Sequence, residues 1–178
     1  RLVGSEMCIR DRGWVNGVGG GLFQPDGTLT RAMFVTMLAG LSGVDEADYP
    51  GSTFSDVSVG QWYAPSVAWA ASGGIVSGTG DGRFEPNRNI TRQEMAQIMV
   101  GYLAWKGVDT HPTADPSAYN IPDRADIAPW ALDSVCFCYE KGLLSGGDHG
   151  FAPLDNATRA QACVVLCGLN DFLRKTEG

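Results

Sequence analysis

One stretch of this sequence occurs three times in register. Gly21-Leu-Phe-Gln-Pro-Asp-Gly-Thr-Leu-Thr-Arg31, Gly82-Arg-Phe-Glu-Pro-Asn-Arg-Asn-Ile-Thr-Arg92 and Gly150-Phe-Ala-Pro-Leu-Asp-Asn-Ala-Thr-Arg159 share an early phenylalanine, a proline and a closing Thr-Arg. Phe23, Phe84 and Phe151 are 61 and 67 residues apart, and Thr30, Thr91 and Thr158 repeat those intervals. A unit of this length carries a helix pair that cannot bury its apolar face alone, so the units must pack on one another.

The upstream halves align as well. Phe54-Ser-Asp56 precedes Trp62, and Ile121-Pro-Asp123 precedes Trp130; Gly74-Ile-Val-Ser-Gly78 matches Gly142-Leu-Leu-Ser-Gly146 and, in the first unit, Gly13-Trp-Val-Asn-Gly17. Each unit reads as helix, glycine-rich loop, short extended Phe-x-Pro stretch, then helix. Thr91-Arg-Gln-Glu94 is a capping box, with the Thr hydroxyl taking an orphan N–H and the Glu reaching back. Thr158-Arg-Ala-Gln161 is the same box with Gln, and Thr30-Arg-Ala-Met33 keeps the cap without the return bond. Met95, Ile98, Met99 and Tyr102 follow at helical spacing and predict a core face. Residues 42–53 and 107–120 hold Pro, Asp, Gly and Ser and read as linkers.

Residues 1–12 (RLVGSEMCIRDR) break the pattern. They resemble a translated sequencing adapter and are set aside as a non-native scar. They stand where the first unit should carry its opening helix and tryptophan. The units are therefore placed at 13–45 (partial), 54–106 and 121–173, together one domain. A signal peptide is not expected in a chain truncated in this way.

These residues resemble the S-layer homology family. The marks are Phe54-x-Asp56, Trp62, Gly74-Ile75-x-x-Gly78, Asp81-Gly-x-Phe84-x-Pro86 and Ile90-Thr-Arg-x-Glu94. The match is full in the second unit, fair in the third and confined to the second half of the first. The resemblance implies a mainly α fold: three helix–loop–helix repeats packed as a pseudo-threefold, three-pronged spindle. It also implies a non-catalytic anchor at the bacterial cell wall or S-layer, outside the cell, holding an anionic secondary cell-wall polysaccharide that bears pyruvate ketals. A surface enzyme or S-layer domain on the same chain is a further implied partner. Ligand grooves are implied between neighbouring repeats. The residues carried over are Arg31, Arg92 and Arg159, Trp62 and Trp130, Asp56 and Asp123, and Gly17, Gly78 and Gly146.

The residue types suit that ligand. A ketal carboxylate wants a planar two-pronged cation, and arginine is one. Next to an N-cap it is expected to be joined by free backbone N–H groups and the helix dipole. Tryptophan offers a flat wall to a sugar ring. Arg92, in the best-preserved repeat, is expected at the surface and to bind the ketal carboxylate; Arg31 should matter less if its groove is the one that lost a tryptophan. The plainer readings are arginines that tie repeats together, tryptophans in the core, aspartates that cap turns and glycines that only turn the chain.

Other classes have less support. The net charge of −7 gives nucleic-acid binding no electrostatic basis, and no apolar run approaches a membrane span. No nucleophile-and-base set, cofactor motif or calcium loop is recognisable. Cys136, Cys138, Cys163 and Cys167 align with Ala or Val in other units, so they read as small core hydrophobes in preference to zinc ligands. Two alternatives to the anchor stay open: a protein-interaction or self-assembly module, and an accessory domain of a surface hydrolase.

Overall fold

A computed structural model describes residues 26–147 and 150–176. The expected scar and the loop at Gly17 lie outside the described residues. Among the described residues five α-helices carry the fold: α1 (Arg31–Ser42), α2 (Ala64–Ser72), α3 (Arg92–Trp105), α4 (Leu132–Glu140) and α5 (Arg159–Thr176). Among the described residues the extended pairing is limited to isolated bridges.

Local chemistry sets the helix starts. The Thr30 hydroxyl accepts the Met33 N–H, and the Thr91–Glu94 box closes in both directions. Thr158 and Gln161 make the equivalent reciprocal pair. At the far end of α1, Gly43 adopts φ 66° and returns its N–H to the last turn, ending the helix where a side chain would be strained. The linkers are short 3-10 turns, Glu46–Asp48 and Pro116–Ala118, each started by an aspartate side chain.

Helices pair across repeats. The Thr-Arg helix of one repeat packs against the opening helix of the next, α1 on α2 and α3 on α4, while α1 also meets α3 and α5. The expected core face is present: Met95, Ile98, Met99 and Tyr102 are buried. Cys136, Cys138 and Cys163 are fully buried and Cys167 partly so, as small core side chains. Burial pushes the Cys136 and Cys138 thiols up from their ordinary value, which keeps them protonated and unreactive.

The repeats close on themselves. Short bridges run Thr30 to Asn89, Thr91 to Asn156 and Thr28 to Thr158, linking first to second, second to third and third back to first. The N–H groups of Arg31, Arg92 and Arg159, each at the first position of its helix, donate to Arg88 O, Asp155 O and Gly27 O at 3.0, 2.9 and 3.2 Å. Ala32 and Gln93 donate likewise to Pro86 O and Pro153 O. A helix start leaves such groups orphaned; here the neighbouring repeat satisfies them. The expected closed, pseudo-threefold order is therefore built from backbone bonds at one shared position. A further expectation is corrected by the same bonds: the leading N–H groups of α1 and α3 are committed to protein and are not open to a carboxylate.

Candidate functional site

Arg31 and Arg92 point into the neighbouring repeat. Arg31 Nε donates to Phe84 O at 2.9 Å with its guanidinium 4.8 Å above the Phe84 ring. Arg92 repeats this on Phe151, at 2.8 Å and 4.9 Å, and adds a 2.7 Å bond from Nη2 to Ser145 O. Arg31, Arg92 and Arg159 are 4, 9 and 5% exposed. The surface position expected for Arg92 is thus overturned. Its donors satisfy carbonyls of the next repeat's loop, and its flat face covers that loop's phenylalanine. Burial lowers the pKa of both Arg31 and Arg92; Glu94 works against this at Arg31, and Asp155 and Asp123 at Arg92.

The aspartates clamp their own repeats. Asp56 accepts the Phe84 and Glu85 N–H groups, both at 2.8 Å, and Asp123 accepts those of Phe151 and Ala152 at 2.7 and 2.6 Å. Burial acts to raise both carboxyl pKa values, but the paired N–H bonds outweigh it and leave them below the ordinary aspartate range. The bonds hold Glu85 and Ala152 at φ 57° and 54°, a backbone shape that side chains rarely adopt. Neither aspartate lines the grooves described next.

Two grooves of nearly equal size, about 680 and 670 Å³, lie between repeats. The first takes Arg31 from repeat one, the Gly74–Asp81 loop with Arg83, Arg88 and Glu94 from repeat two, and Trp130 from repeat three. The second takes Arg92 from repeat two and the Gly142–Gly147 loop with Asp155, Gln161 and Val164 from repeat three. No tryptophan lines it among the described residues. In sequence, the position equivalent to Trp62 in the first unit is Arg1, and residues 1–12 hold no tryptophan. Arg159 and Trp62 line neither groove, and Gly17 lies outside the described residues. Trp62 and Trp130 are both 56% exposed, so neither is a core side chain. Gly78 and Arg92 of repeat two therefore line different grooves, as do Trp130 and Gly146 of repeat three. The condition attached to Arg31 is not met: among the described residues the groove at Arg31 contains a tryptophan.

Close approach fixes the loop. Gly78 has φ 81°, and a Cβ there would fall 2.5 Å from Arg83 O and 2.7 Å from the Phe54 ring. Gly101 on α3 does the same work from the helix side, since a Cβ would fall 2.6 Å from Ile75 O. The sequence reading missed Gly101, although Gly40, Gly101 and Gly168 recur at the same 61- and 67-residue intervals.

It also missed the charge network of the first groove. Glu94 accepts from Arg31 Nη1 at 3.2 Å and from Arg88 Nη1 and Nη2 at 3.1 and 2.5 Å, besides its capping bonds. Burial acts to raise the Glu94 carboxyl, but Arg88, the Thr91 N–H and Arg31 together leave it below the ordinary glutamate value. Arg88 is held above the ordinary arginine value, chiefly by its hydrogen bond to Glu94. No repeat signal marks Arg88, because its counterparts are Gly27 and Asp155.

The family model of the S-layer homology domain matches this chain at residues 10–33, 53–96 and 120–163. The chain belongs to the S-layer homology family. It is similar to an amylopullulanase of Thermoanaerobacterium thermosulfurigenes, 33% identical over 162 residues, covering 90% of this chain and 8% of that protein. It is similar to the S-layer protein sap of Bacillus anthracis, 32% identical over 164 residues, covering 92% of this chain and 19% of that protein. A cellulosome-anchoring protein of Acetivibrio thermocellus is 27% identical over 158 residues, covering 86% of this chain and 34% of that protein. The chain thus spans between 8 and 34% of these relatives' own length. Domains of this family are non-catalytic modules that anchor proteins to the cell wall, and some enzymes carry them as accessory parts. No helix among the described residues is long and apolar enough to cross a membrane.

Proposed function

We propose that this chain is a non-catalytic module that fixes a larger extracellular protein to a bacterial cell wall by holding an anionic secondary cell-wall polysaccharide, and that the Arg31 groove is its main ligand site. The observation that carries this reading is convergence: Arg31, Gly78 and Trp130, one from each repeat, line one groove with Arg83 and Arg88. Arg31 forms the floor. Arg83 and Arg88, with side chains 58 and 39% exposed, are the cations that a pyruvate ketal meets first. The carboxylate takes a fork of donors from Arg88 in exchange for part of its pairing with Glu85 and Glu94, and the sugar lies on the exposed face of Trp130. Arg92 and Arg159, in this reading, tie repeats together, and Arg92 shapes the floor of the second groove. Asp56 and Asp123 hold the loops that carry the groove walls.

Calorimetric titration with wall polysaccharide, native and stripped of its ketal pyruvate, tests this. Saturable binding to the native polymer, lost on stripping and in Arg88→Ala, is expected. Equal affinity for both polymers would end the carboxylate assignment and favour the interaction-module reading. Relatives such as the amylopullulanase, of which this chain spans only 8%, support the companion reading that the anchored protein is an enzyme. The complete gene tests that directly.

A further inference from the structure

Trp130 projects from a short turn, Pro129–Ala131, and its 56% exposure leaves little packing to hold it. Two glutamines one helical turn apart on α3, and so on one face, grip the turn from both sides. Gln93 Oε1 accepts the Ala128 N–H at 2.9 Å, two residues before the tryptophan. Gln97 Oε1 accepts the Ser134 hydroxyl at 2.8 Å, four residues after it. Gln93 and Ser134 are buried and Gln97 is exposed, so both bonds are partly buried and meet less competition from water than bonds on an open surface.

The equivalent turn at Trp62 lacks this arrangement. The counterparts of Gln93 and Gln97 in α1 are Ala32 and Thr36; alanine has no acceptor, and Thr36 Oγ1 is buried without a hydrogen-bond partner. Ser66, the counterpart of Ser134, bonds Glu46 of the linker instead. In α5 the matching positions are Ala160 and Val164. Among the described residues the double grip is therefore particular to the groove that contains Arg31.

We infer that Gln93 and Gln97 are positioning residues that fix Trp130 as a preorganised sugar platform, making the Arg31 groove the tight-binding one. The inference rests on the proposed role of Trp130 in binding wall polysaccharide. A platform already held in place loses less freedom on binding than one that must be ordered by the ligand.

Gln93→Met and Ser134→Ala each remove one bond with little change in volume, and Ser134→Ala leaves Gln97 in the groove. Calorimetry with pyruvylated wall polysaccharide should show each weakening binding about threefold, the loss expected for one hydrogen bond. In a Trp130→Ala background neither should have any effect, because both act through the indole. The Trp130 indole N–H signal, assigned by its loss in Trp130→Phe, should shift or broaden in both variants without ligand. Wild-type affinity with an unmoved indole signal, or equal losses with and without Trp130, would overturn the inference. Weakening by Gln97→Ala but not by Ser134→Ala would also overturn it, since Gln97 would then contact the sugar directly. If Trp130→Ala itself binds normally, the ligand reading fails, and the indole signal alone decides whether the turn is gripped.

Discussion

The grooves at Arg31 and Arg92 share a backbone plan and a volume but differ in chemistry. Both have a buried arginine on a phenylalanine and a glycine-bearing loop. The first adds Trp130, Arg83, Arg88 and Glu94; the second has Asp155, Gln161 and Val164 in place of the last two and of Gln97. The shared set is what folding requires, and the unshared set is what can be spent on a ligand. The Thr-Arg arginine, the most regular mark in the sequence, belongs to the shared set.

The comparison breaks most visibly at the arginines. Arg31→Ala leaves Glu94 short of a buried partner as well as Phe84 O, and should cost about 3 kcal/mol. Arg92→Ala strands only carbonyls and should cost about 2 kcal/mol. Urea unfolding followed by circular dichroism measures both; a smaller loss for Arg31 would reverse the ordering. At the next level, Trp130→Ala should weaken polysaccharide binding by about 2 kcal/mol, as for an aromatic anchor. Its stability should stay within about 0.5 kcal/mol of wild type because the ring is exposed. A matched loss of melting temperature would mark Trp130 as structural.

Acid sharpens the contrast. Glu94, Asp56 and Asp123 have folded-state pKa values below their ordinary ones. The stability they add is fully present above their unfolded values and is lost as pH falls through the lowered folded ones. Gln161 gives the second groove no such carboxylate. Glu94→Gln should therefore lower stability near neutrality yet shrink the loss between neutral pH and acid, read from melting temperature against pH. An unchanged acid limb would remove Glu94 from the account. The smallest effect belongs to the loops: Ala152→Gly should gain about 0.5 kcal/mol by relieving the positive φ, net of glycine's greater freedom when unfolded.

Much of this was legible because repetition makes sequence self-annotating. The capping boxes, the core face of α3 and the cysteines at small apolar positions were all read from register. The burial of Arg92 was not. Its partners, Phe151 O and Ser145 O, are backbone atoms more than fifty residues away, and backbone acceptors have no sequence signature. The assignment of Trp130 to the Arg31 groove was hidden for a related reason. A repeat alignment shows which residues are equivalent, not which ones meet, and here the meeting partners come from three different repeats.

The bridge from Thr28 to Thr158 has a mechanical consequence. In an open stack each repeat touches only its neighbours, so tension on one end can strip the units off one at a time. A ring has no terminal unit to peel. Pulling the third repeat away loads its bonds to the first and to the second together. A tether built this way should resist steady force and then give way in a single event, which a single-molecule stretching trace records as one peak rather than a staircase.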